Sequence, residues 1–165
     1  MKLKSVFTHH LFWEITGLLI LVMGLRTPWA CSSGWGDLTW FCPNAFDVYD
    51  FYRFIIEAGA DFARFSGWNL IIATFFIFLI LLLSPKLSSK YRSIGLLVTS
   101  AEILLVTRTT YLNLLLHILW WRALPRLEGA HTMRSGLLIV MIGAVLIFIS
   151  EVYNVSKDRI VLKLR

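Results

Sequence analysis

Between Asn69 and Leu83 the chain reads NLIIATFFIFLILLL, an apolar run without a single charge, closed by Ser84-Pro85. A run of this kind restricts the fold more than any motif. The hydrocarbon core of a bilayer is about 30 Å thick and takes roughly 20 helical residues to cross. Two more stretches resemble it: Phe7–Leu25, which holds the run Ile15–Leu25, and Ser135–Ser150, which reads SGLLIVMIGAVLIFIS. A longer mixed stretch, Ser93–Trp121, is also apolar enough to span, although it carries Glu102, Arg108, Asn113 and His117.

Composition agrees with these runs. Hydrophobic residues make up 58% of the 165 and charged residues 16%, whereas soluble domains average about 45–50% and about 25%. The balance excludes a free globular enzyme, a disordered tail and a disulfide-rich secreted miniprotein. The expected fold is an all-α integral membrane protein: a four-transmembrane-helix bundle with spans at about 7–25, 69–84, 93–121 and 135–151. The bilayer itself is its first partner.

The N-terminal run invites comparison with a signal peptide, because Lys2 and Lys4 precede it and Pro28-Trp29-Ala30-Cys31 follows. Glu14 interrupts the apolar region, and Pro28 is a poor residue three before a cut, so we read a retained anchor. Charge then orients the chain. Lys2, Lys4, Lys86, Lys90, Arg92, Lys157, Arg159, Lys163 and Arg165 fall at one end of the spans, with Asp158 the only acid among them. Short basic segments stay cytoplasmic, which predicts cytoplasmic termini, an extracytoplasmic first loop and a plasma (cytoplasmic) membrane location. The net charge of +6 is therefore a topology signal, not a nucleic-acid footprint. The Asn154-Val155-Ser156 sequon falls on the cytoplasmic side, so no glycosylation is expected.

The outer loop, about 26–67, contains both cysteines, Cys31 and Cys42. Outside the cytoplasm such thiols oxidise, and ten intervening residues do not suit a redox-active pair, so a structural disulfide is expected. Trp29, Trp35 and Trp40 crowd the same segment, and Trp120 and Trp121 close the third span. They read either as an interfacial belt or as partner contacts. Asp47, Asp50, Arg53, Glu57, Asp61 and Arg64 recur at steps of three or four between aromatic residues. That spacing predicts an amphipathic helix over about 45–65 on the outer interface.

At about 100° per residue, Glu102, Thr109, Asn113 and His117 fall on one side of the third span, with Thr99 and Thr110 beside them. Lipid offers no hydrogen bonds, so this stripe is expected to face the bundle or a neighbour. Arg108 points elsewhere, beside Tyr111. Glu14 could face Glu102 and extend a polar path inward. The functional reading is a proton path, ion path or polar pocket. The plainer reading, which we favour, has Glu102 held by hydroxyls in the bundle and His117 in the outer belt. Gly136, Gly143 and Ala144 suit close packing of the fourth span.

His9, His10, His117 and His131 are not spaced as ligand pairs on one helical face, so no metal site is expected. No phosphate loop, dinucleotide fingerprint or nucleophile elbow is present, and no cofactor or catalytic residue is assigned. Three roles follow, in order of preference. The first is a non-catalytic accessory subunit of a larger membrane assembly (energy-transducing, transport or secretion), bound to other membrane subunits or to itself. The second is a small oligomeric carrier or channel lined by Glu102, Asn113 and His117. The third is an interfacial enzyme acting on lipid or quinone through His117 and Glu102.

Overall fold

The computed structural model describes residues 10–33, 40–42, 44–46, 61–123 and 131–163. Among them are four helices: α1 (His10–Arg26), α2 (Asp61–Leu82), α3 (Ser89–Ala123) and α4 (Gly136–Lys163). Stretches of two, Ser89–Leu116 in α3 and Gly136–Ser156 in α4, are long and apolar enough to cross a membrane. The apolar part of α2, Ser66–Leu82, is shorter.

Glycine decides how the first and last helices meet. A Cβ on Gly17 would stand 2.6 Å from Ile147 Cγ1, and one on Gly143 would stand 2.7 Å from both the Gly17 carbonyl and the Leu21 amide. One on Gly24 would meet the Val140 amide at 2.5 Å. Only hydrogen fits at these points, so α1 and α4 pack antiparallel with their backbones nearly in contact. Leu21, Leu137, Val140, Ala144 and Ile147 fill the seam, all fully buried. Leu70, Ala73, Ile77, Leu96 and Ile103 continue this core across α2 and α3.

Hydroxyls within the helices are satisfied locally. Thr74, Ser100, Thr107 and Thr110 each donate to the carbonyl four residues earlier, at 2.6–2.7 Å. In this back-bonded form a hydroxyl needs no other partner. Large apolar side chains also cover the outside: Leu19, Met23, Phe75, Phe76, Val98, Leu105, Leu116, Ile142 and Ile149 are exposed.

Three short strands add a feature the all-helical expectation does not contain. β1 (Ala30–Ser33) lies between β2 (Trp40–Phe41) and β3 (His131–Met133), antiparallel to both. Cys31 pairs with Thr132 across the sheet, and a disulfide joins Cys31 to Cys42. The loop after α1 and the segment before α4 are thus tied together at one end of the bundle. Arg134 N–H donates to the Trp29 carbonyl at 3.0 Å, and Gly136 N–H donates to that of Pro28 at 3.1 Å. Trp29 is buried at 1% exposure, and its indole N–H donates to the Gly24 carbonyl at 3.3 Å. It plugs the C-terminal end of α1 and is not part of a surface belt.

Several boundaries differ from those expected. α2 begins at Asp61, so the end of the anticipated amphipathic segment continues into the apolar helix. Ala45 and Phe46 lie outside any helix, and residues 47–60 of that segment fall outside the described residues. α3 begins at Ser89, which places Arg92 inside a helix where a loop cation was expected. α4 runs on to Lys163.

Candidate functional site

The end of the bundle opposite the sheet holds its buried charges. Glu14 on α1 and Glu151 on α4 are both fully buried, and Arg92 on α3 is 8% exposed. Arg92 Nη2 donates to Glu14 Oε2 and lies 3.7 Å from Glu151 Oε1. Its Nη1 is 3.2 Å from His10 Nε2. The Ser150 hydroxyl donates to the His10 carbonyl at 3.2 Å. One guanidinium therefore clamps three helices, using the planar fork that suits arginine to paired carboxylates.

The satisfaction of this cluster is incomplete. Glu14 Oε1, Arg92 Nε and both Glu151 oxygens are buried without a hydrogen-bond partner. Two carboxylates face one guanidinium, and Glu151 holds only the longer contact. A buried pair of this kind gives specificity of packing more readily than net stability. In the observed register α1, α3 and α4 bring Glu14, Arg92 and Glu151 together at one end.

The sequence pointed to a different arrangement. Glu14 faces Arg92 and Glu151, not Glu102. Neither Arg92 nor Glu151 stood among the expected intramembrane polar residues, because both sit where charges ordinarily mark the ends of spans. The spacing of Arg92 from Ser93, the expected start of the third span, was the signal available: one residue separated a loop charge from a buried one.

The stripe on α3 turns outward. Glu102, Thr109 and Asn113 are exposed on the side away from the bundle, and Arg108 is exposed beside them. Thr110 is buried and Thr99 half-buried. The two ion pairs among the described residues both belong to Arg92, so Glu102 and Arg108 are paired in neither. Glu102 stands near the midpoint of the apolar stretch Ser89–Leu116. The backbone of His117, Trp120 and Trp121 continues α3, and that of Trp40 lies in β2; their side chains, and Trp35 altogether, fall outside the described residues.

At the sheet end, Arg134 Nε donates to Cys31 Sγ at 3.1 Å, so the disulfide lies against the start of α4. No group of three or more His, Cys, Asp or Glu able to hold a metal ion occurs among the described residues. Compared with known proteins, the chain matches no family model and no curated protein.

Proposed function

We propose that this chain is a four-span integral membrane protein, with cytoplasmic termini and an extracytoplasmic first loop. In this reading it serves as a non-catalytic accessory subunit of a larger membrane assembly (energy-transducing, transport or secretion). The many large apolar side chains exposed on all four helices support the membrane placement, since a soluble monomer rarely exposes extended apolar surface. The observation that carries the subunit role is that the polar residues Glu102, Arg108 and Asn113 are all exposed on α3. A charged side chain at the centre of a spanning helix costs about 2.5–3.5 kcal/mol against lipid on insertion scales. Covering that face with protein removes much of the cost and supplies hydrogen-bond partners. The carrier reading requires several chains, because Glu102 and Asn113 lie outside the single bundle and can line a path only between copies.

The test is gentle extraction in a mild detergent followed by native mass spectrometry. Stoichiometric co-purification of other membrane subunits is the expected result. A species built of this chain alone, at every detergent strength that preserves its fold, overturns the subunit role.

A further inference from the structure

The exposed residues of α3 are ordered more tightly than a general need for cover demands. Val98, Glu102, Leu105, Thr109, Leu112, Leu116 and Leu119 are all exposed, and they follow one another at alternating steps of four and three. That is the heptad seam of a left-handed helix pair, with Glu102, Thr109 and Leu116 at the a positions and Val98, Leu105, Leu112 and Leu119 at d. The seam is sustained for about three heptads. α2 and α4 pack on the other side of α3, against Leu96, Ile103 and Leu114, so no described residue of the bundle covers it.

We infer that the occupant of this seam is the α3 helix of a second copy of the chain, packed parallel about a two-fold axis. The inference rests on the membrane placement proposed above, because copies inserted by one route share one orientation. The flanking residues carry the choice of a second copy. Arg108 falls at a g position and Asn113 at the e position five residues on, and both are exposed. In a parallel pair, g of one helix faces e of the following heptad in the other. Arg108 of each copy thus meets the Asn113 side chain of the other, whose amide oxygen accepts its N–H. The complement of Arg108 is already present in this chain, twice over by symmetry. Polar residues at a, here Glu102 and Thr109, fix the register, as they do in soluble coiled coils. Glu102→Gln places a hydrogen-bond donor and an acceptor at the same a position and so preserves the pairing.

The test is oxidative cross-linking of the full chain in native membranes, with single cysteines introduced at the d positions (Leu105→Cys, Leu112→Cys) and, as control, on α2 (Ile72→Cys). Leu105, Leu112 and Ile72 are all exposed, so the substitutions leave the core intact. Covalent dimers are expected at the two α3 positions, at severalfold higher yield than at the control. Adding Arg108→Leu to Leu105→Cys lowers that yield severalfold; adding Asn113→Asp maintains or raises it. Equal yields on α3 and α2, or an α3 yield indifferent to Arg108→Leu, overturn the inference. Other subunits co-purifying without α3 cross-links leave the accessory role standing and this inference fallen. Cross-links without other subunits give the reverse.

Discussion

Arg92 is the residue on which the most separate structure depends. Its guanidinium reaches Glu14, Glu151 and His10, which lie on two other helices. Arg92→Met leaves two fully buried carboxylates facing each other without a cation. Loss of one partner from a buried pair costs about 3–5 kcal/mol, so the melting temperature of the purified variant should fall sharply. Arg92→Lys restores the charge but not the fork, and is expected to recover only part of the loss. The triple variant Glu14→Leu, Arg92→Met, Glu151→Leu is predicted to melt above Arg92→Met alone, because no uncompensated charge remains in it. A triple variant less stable than the single one would mean that the cluster contributes net stability. None of these partnerships was legible in the sequence. Glu14 was visible as an intruder in an apolar run, but its partner stands 78 residues away, and periodicity along one helix carries no information about which helix lies opposite.

At the scale of elements, the close seam between α1 and α4 sets the shape of the bundle. Gly17, Gly24 and Gly143 leave no room for a methyl group without moving backbone or a packed side chain. Gly143→Ala and Gly17→Ala are each expected to destabilise by about 1–3 kcal/mol through overpacking, read as a drop in thermal midpoint. Gly95→Ala is the matched control: its Cβ would meet only the Ile80 side chain, Cδ1 at 3.0 Å and Cγ1 at 3.7 Å, and its midpoint should move much less. Here the sequence served well. The small residues of the fourth span announced close packing, and the apolar runs placed the end of α2 and the start of α4 to within a turn, though α2 begins eight residues earlier and α4 ends twelve residues later than the runs indicate. It served less well for the orientation of α3. The polar stripe was visible at helical spacing, but the rule that such a stripe turns away from lipid does not say whether it turns inward or toward another protein. The short strands were invisible for a related reason: β2 and β3 have two and three residues, too few for an alternating pattern to register.

Across the whole molecule, the sheet and the disulfide hold the end opposite Arg92. Cys31 and Cys42 are separated by 11 positions, and closing a ring of that size removes chain entropy worth about 3 kcal/mol from the unfolded state. Cys31→Ser and Cys42→Ser should therefore each lower stability by roughly that amount, and the double variant should lose no more than either alone. A reductant should shift the native protein to the midpoint of the variants and leave the variants unmoved. The expectation of an oxidising compartment for this loop followed from the cysteines and the basic segments; that β1 pairs with β3 from the far side of the sequence did not.

That last pairing bears on how the protein is made. α1, the first helix described, has its main partner in α4, the last, and β1 waits for β3 in the same way. A ribosome delivering this chain releases the first of these halves well before the second. Until α4 arrives, the glycine face of α1 has no backbone against it, and Glu14 has at most Arg92 for company. The interior is complete only with α4 in place, Gly136 beneath Trp29 at one end and Glu151 beside Arg92 at the other. A chain truncated before Gly136 lacks the helix that lies against Gly17 and Gly24 and beside Glu14, and so leaves an open groove and an uncovered acid.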